Sequence, residues 1–123
     1  MILVDTSVWI DHLRAADQRL IDLLAAEEVL GHPFVMGEIA LGHLPRRGAV
    51  LGELRDLPGA AVATDEEVLD LIERQSLFGR GIGYVDAHLL AAVRLTEEAR
   101  LWTKDRRLRA VAAELGLAAL LPH

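Results

Sequence analysis

Apolar positions along the chain change period repeatedly, and the changes divide it into short strands and helices. Ile2, Leu3 and Val4 form an apolar run that ends on Asp5, the pattern of a buried strand. From about Ser7 to Arg14 the apolar spacing becomes helical. A second helix is predicted from about Asp17 to Glu28, with Leu20, Ile21, Leu23 and Leu24 turned to the core. Val29 and Leu30 read as a very short strand before the break at Gly31, His32 and Pro33. Pro33 suits the first turn of a helix, where a missing N–H is no loss, and that helix is predicted to reach about His43. Pro45, Gly48, Pro58 and Gly59 bracket another short helix, roughly Arg47 to Leu57.

The second half continues the alternation. Ala60 to Ala63 is strand-like, and Thr64-Asp65-Glu66-Glu67 is a helix start with a capping hydroxyl, a glutamate three residues later and acids at the positive helix end. This helix is predicted to continue to about Phe78, before Gly79, Gly81 and Gly83. Another spans about Tyr84 to Leu95, and Arg100 to Thr103 is a strand. Leu108, Val111, Ala112 and Leu115 mark a helix closed by Gly116, and Leu117 to Leu121 is a last strand. Strands alternating with helices imply right-handed crossovers. The expectation is an α/β fold of three layers, α/β/α, with a mainly parallel central sheet of four or five short strands, forming a single domain over residues 1–123.

Composition narrows the function classes. The chain has no cysteine, which excludes disulfides and thiolate metal sites and suits a reducing compartment. No run approaches the ~18 apolar residues of a membrane span, and the N-terminus lacks a signal-peptide pattern, so a soluble cytoplasmic protein is expected. The 13 basic and 19 acidic residues give a net charge of −6. That balance argues against a sequence-blind nucleic-acid binder, unless several acids surround bound cations and the metal reverses the local field.

Four acids stand where the pattern does not expect them. In doubly wound folds, ligands collect at the carboxyl ends of the strands. Asp5 ends the first strand and Asp105 lies two residues past Arg100–Thr103's tryptophan-threonine end, which places both at one sheet edge. Glu38 interrupts the apolar helix of Phe34, Val35, Met36, Ile39 and Leu41, and Asp86 interrupts Tyr84, Val85, Ala87 and Leu89. A helix as apolar as the first is expected to be buried nearly all round, leaving Glu38 few solvated directions. Singly, each acid has a structural reading as a cap or a dipole partner. Unpaired buried carboxylates are costly; arginines could pair with these acids, but one divalent cation serves several carboxylates at once.

The strings ILVDTSVWIDHLR, FVMGEIALG, GIGYVDAHLLAA and LWTKDRRL resemble the PIN-domain ribonucleases, most closely the VapC toxins of bacterial toxin–antitoxin pairs. The similarity runs from Met1 to about Leu121 and is carried by four acidic motifs in order. By resemblance, Asp5, Glu38, Asp86 and Asp105 are the catalytic acids that hold Mg²⁺ or Mn²⁺ for hydrolysis of RNA phosphodiesters. Thr6, Ser7 and Thr103 match hydroxyls that orient water or substrate, with one of Thr6 and Ser7 also expected to cap the first helix. Cations around the site, Arg80, Lys104, Arg106 and Arg107, with Arg109 beyond them, are the candidates for RNA binding. The resemblance also implies a cognate antitoxin and a toxin homodimer. His88 is given a packing role, since residues two apart do not share a helix face. Trp9 and Trp102 are assigned to the core or an interface rather than to base stacking, and Tyr84 to the core, with stacking on RNA as its alternative. His12, His32, His43 and His123 lack ligand-like spacing. The alternatives are a phosphoacceptor receiver-like signalling domain, a dehalogenase-like phosphatase, and a non-catalytic PIN-like binding module. The receiver wants paired acids at the first strand, where Asp5 stands alone, and the phosphatase wants a second aspartate where Ser7 stands. The intact quartet argues against the third.

Overall fold

In a computed structural model that describes residues 1–121, the alternation produces three strands and seven helices. They follow in the order β1 (Ile2–Val4), α1 (Thr6–Arg14), α2 (Gln18–Ala25), β2 (Val29–Leu30), α3 (Pro33–Ala40), α4 (Arg47–Arg55), α5 (Asp65–Arg74), α6 (Tyr84–Leu95), β3 (Arg100–Trp102) and α7 (Arg106–Glu114). The strand order is β2-β1-β3 and both pairings are parallel, so β1 is central. Leu3 and Val4 of β1 are fully buried, and the sheet has helices on both faces in an α/β/α arrangement. α1 packs on α3, α3 on α4, α5 on α6, and α6 on β3. One hydrophobic core, with Leu3, Val8, Leu20, Val68, Leu89, Leu90 and Leu108 wholly buried, joins all the layers. No helix of the described residues is long and apolar enough to cross a membrane.

The sheet is narrower than the four or five strands expected. The two extra strands are present only as single bridges at its outer edges. Gly59 bridges Gly31 beyond β2, and Ala118 bridges Leu101 beside β3. Ala60 to Ala63 cannot extend the first of these, because Pro58 has no N–H to give and the Ala61 N–H is taken by the Thr96 hydroxyl at 2.9 Å. Leu117 to Ala119 contribute just two rungs, both to Leu101.

α4 ends at Arg55, close to the expected Leu57, and three other helices stop earlier than expected by a wider margin. α2 ends at Ala25, since Glu27 turns left-handed (φ 57°) and the Glu28 N–H closes back on Leu23. α5 ends at Arg74 instead of Phe78, with Ser76 left-handed (φ 52°) so that Leu77 folds into the core. α3 stops at Ala40 rather than His43, and buries only Val35 and Ile39. Ile21, expected inside, faces outward, while Leu20 alone of α2 is fully buried. By contrast, the Thr64–Glu67 capping box forms as predicted, and α6 runs over the residues expected of it. His123 lies outside the described residues.

Candidate active site

Parallel strands deliver their carboxyl ends to one edge, and the register fixes what meets there. Val4 is paired with Trp102, so the residues that follow, Asp5 and Thr103, lie side by side; the Asp5 N–H donates to the Trp102 carbonyl at 2.9 Å. The Thr103 hydroxyl donates to Asp5 Oδ2 at 2.7 Å, and the Ser7 hydroxyl donates to the same oxygen at 2.8 Å. The Thr6 N–H donates to Asp5 Oδ1 at 2.8 Å. Asp5 is therefore buried with three hydrogen-bond donors and, among the described residues, no ion-pair partner, so its polar oxygens are satisfied without a salt bridge. The cap of α1 is this carboxylate rather than the hydroxyl of Thr6 or Ser7.

The two hydroxyls beside Asp5 instead reach to other parts of the site. Thr6 Oγ1 donates to Glu38 Oε1 at 2.8 Å, linking α1 to α3 across 32 residues of sequence. Ser7 Oγ accepts the Lys104 N–H at 3.1 Å, and Thr103 Oγ1 accepts the Asp105 N–H at 3.1 Å. Asp105 caps α7, with Oδ1 accepting from the N–H groups of Arg107 and Leu108 at 2.9 and 3.0 Å. Asp86 sits in the first turn of α6, where its Oδ2 accepts the Gly83 N–H at 2.9 Å.

Glu38 is exposed, contrary to the expectation of a helix buried all round. α3 turns one face inward and leaves the other open, with Leu41 just past its end 90% exposed. Asp86 is half-buried, and its carboxyl is held above the ordinary aspartate range. Burial is the largest cause, offset in part by the Gly83 N–H, and repulsion from Asp5, Asp105 and Glu38 adds to it. All four acids thus share one electrostatic field.

Among the described residues, no lysine or arginine forms an ion pair with any of the four. Glu38 Oε2, Asp86 Oδ1 and Asp105 Oδ2 also have no donor among the described hydrogen bonds. Free carboxylate oxygens without a counter-cation suit a hard divalent ion. The arrangement is open: among the described residues, no three Asp, Glu or His side chains are gathered at the spacing of a formed metal centre. The donor chemistry of these carboxylates fits such an ion.

The cations are more constrained than their positions in sequence suggest. Arg80 forks onto Glu114, and Lys104 pairs with Asp11 at 2.8 Å. Arg107 lies against the backbone of Gly81, where an added Cβ would come within 2.7 Å of its Nη1, and Gly81 also holds a φ of 79°. Arg106 and Arg109 are exposed. Glu114 and Asp11, which occupy two of the candidate cations, carry no local signal, since they lie 34 and 93 residues from their partners. Tyr84 is not in the core: it is 46% exposed, and its hydroxyl donates to Asp65 at 2.8 Å. His88 packs as expected, buried between the rings of Tyr84 and Phe34 at 4.7 and 4.6 Å. Trp9 and Trp102 are both buried.

Residues 2–114 match the family model of the PIN domain. Ribonuclease VapC32 of Mycobacterium tuberculosis, as it occurs in two strains, is 55% identical to this chain over 118 residues, covering 96% of the chain and 95% of the relative. With a parallel sheet edge that groups four acids in one field and a similarity spanning nearly its whole length, the chain belongs to the PIN-domain family and, within it, to the VapC type.

Proposed function

We propose that the chain is a metal-dependent endoribonuclease toxin that hydrolyses RNA phosphodiester bonds and is held in check by a cognate antitoxin. The observation that carries this reading is the group of four carboxylates, three of which act against the ionised form of Asp86, with none paired to a cation among the described residues. The ribonuclease name of a relative 55% identical supports the same chemistry. Asp5 and Asp86 are the proposed direct ligands of Mg²⁺ or Mn²⁺, with Glu38 and Asp105 completing the donor set. Such an ion, when bound, supplies Lewis acidity toward the phosphodiester and lowers the pKa of a water.

The chain's own residues set up that chemistry. Thr103 and Ser7 both donate to Asp5 Oδ2, which fixes the carboxylate before substrate arrives. Thr6 does the same for Glu38. Thr103 also ties Asp105 to Asp5 through the Asp105 N–H, so one hydroxyl sets the spacing of two acids. Burial and its acidic neighbours act against the ionised form of Asp86, and a cation held there would favour that form. We further infer one PIN-like domain over residues 1–123, action in the cytoplasm, and a toxin homodimer. Exposed Leu41 and Phe78, at 90% and 64%, are compatible with apolar protein partners.

The test is incubation of total RNA with antitoxin-free protein and Mg²⁺ or Mn²⁺, with and without chelator, beside Asp5→Asn. Cleavage is expected only from the unmodified chain with metal. Activity that survives both chelator and substitution overturns the reading.

A further inference from the structure

One cavity shares a residue with the acid site and carries the opposite charge. It measures about 270 Å³ and is lined by Arg19, Trp102, Thr103, Arg109, Ala119 and Leu121, among others. Thr103 is the residue whose hydroxyl donates to Asp5 at 2.7 Å, so cavity and acids adjoin at one residue. The Arg19 guanidinium lies 5.0 Å over the Trp102 ring. Its Nε and Nη2 are held by Asp17 at 3.1 and 2.8 Å, which fixes the plane of the guanidinium against the indole. Arg109 is exposed on α7 and forms no ion pair among the described residues.

A polyanionic strand needs a cationic foothold next to four carboxylates that repel it. Arg80 and Lys104 are drawn into pairs with Glu114 and Asp11, whereas Arg109 keeps its charge available beside Thr103. A guanidinium backed by an indole is also a flat, polarisable platform, the surface on which unstacked bases settle. The volume is just under the ~300–1,000 Å³ of small-molecule pockets, the scale of a single nucleotide unit. An acidic peptide would use the charge alone and leave the platform without a purpose.

We propose that this cavity is a nucleotide subsite for the RNA strand engaged at the acids, with a phosphate on Arg109 and a base against the Arg19–Trp102 pair. It rests on the ribonuclease reading, and its test is independent of cleavage. Binding of a short fluorescent single-stranded RNA is measured on the Asp5→Asn chain across a salt series. Adding Arg109→Gln is expected to weaken binding about 5–10-fold and to reduce the logarithmic salt slope by ~0.7. Arg19→Gln is expected to weaken it about 3–10-fold, by loss of stacking. Arg55→Gln, remote on α4, should leave it unchanged. With uridine monophosphate as probe, the Trp102 indole N–H resonance should shift while that of Trp9 stays. Unchanged affinity and slope in both arginine variants overturn the subsite, as does a Trp102 resonance that moves with an acidic peptide and not with the nucleotide. If metal-dependent cleavage persists in those cases, the subsite alone has failed; if the unmodified chain neither binds nor cleaves RNA, the ribonuclease reading has failed with it.

Discussion

The guanidinium of Arg80 and the carboxylate of Glu114 meet in a two-pronged pair with both N···O distances at 2.8 Å. Arg80 belongs to the loop 79–83 that leads into Asp86, and Glu114 closes the helix that Asp105 opens. The pair therefore ties the loop before one acid to the helix behind another, and Arg107 over Gly81 makes a second tie between the same elements. Arg80→Ala is expected to lower kcat about 3–10-fold through misplacement of Asp86, with KM and salt dependence nearly unchanged. Glu114→Ala should do the same. An RNA-contacting Arg80 would behave oppositely, because removing Glu114 would free it and tighten binding. Steady-state cleavage of a defined RNA at several salt concentrations separates the two.

Thr103 serves two acids with one hydroxyl. It donates to Asp5 and accepts from the Asp105 N–H, and it is buried. Thr103→Val keeps the shape and removes both bonds, so stability should fall by about 1–3 kcal/mol, the range for stranding buried polar groups. Cleavage should fall about 10–100-fold, as for residues that orient metal ligands. Thr103→Ser should recover most of each. Denaturation midpoints and cleavage rates of the two variants provide the check, and a valine variant with unaltered activity would remove the positioning role.

The raised pKa of Asp86 makes a stability prediction opposite in sign to its effect on activity. Burial and the nearby charges of Asp5, Asp105 and Glu38 all act against its ionised form in the metal-free chain. Asp86→Asn removes that repulsion and keeps an oxygen for the Gly83 N–H. The variant should lose cleavage while gaining roughly 0.5–1 kcal/mol, or about 2–5 °C in Tm, without metal. Added Mg²⁺ or Mn²⁺ should raise the Tm of the unmodified chain and not that of Asp86→Asn. Thermal melts with metal and with chelator measure both. A variant that melts below the unmodified chain in chelator would count against the shared field.

Much of this arrangement was legible in the residues, for reasons that differ by element. The run Ile2-Leu3-Val4 and the alternation after it imply parallel strands, and parallel strands alone place Asp5 and Asp105 at one edge. The Thr64–Glu67 box and the bounds of α6 follow from local chemistry, and local chemistry is what a sequence displays. The outer strands were over-read because an extended stretch becomes a strand only where a neighbour offers a ladder. Ala61 finds a threonine hydroxyl instead. The exposure of Glu38 and Tyr84 was hidden for a related reason: apolar neighbours imply burial only if another element covers them, and among the described residues nothing covers Leu41. The pairs Arg80–Glu114 and Lys104–Asp11 exist only once the fold has closed.

His32 gives the fold a sensitivity to mild acid. It caps α3, with Nδ1 accepting the Phe34 N–H at 3.0 Å, which assigns the proton of the neutral ring to Nε2. Nε2 is buried without a partner among the described residues. Burial, with a smaller contribution from His88, pushes its pKa down from 6.5 to about 4. The unfolded chain therefore binds more protons than the folded chain across that interval, so stability is full above pH 6.5 and declines as pH falls toward about 4. The loss should amount to about 1–3 kcal/mol from this residue. His32→Asn keeps a capping oxygen and has nothing to titrate at that position, so its stability should fall less over the same interval. Urea midpoints taken from about pH 7 to about pH 4 should diverge for the two chains, with the histidine chain falling faster. Parallel curves would mean that the ring gains its proton without opening the cap, and the acid sensitivity would then belong to the carboxylates alone.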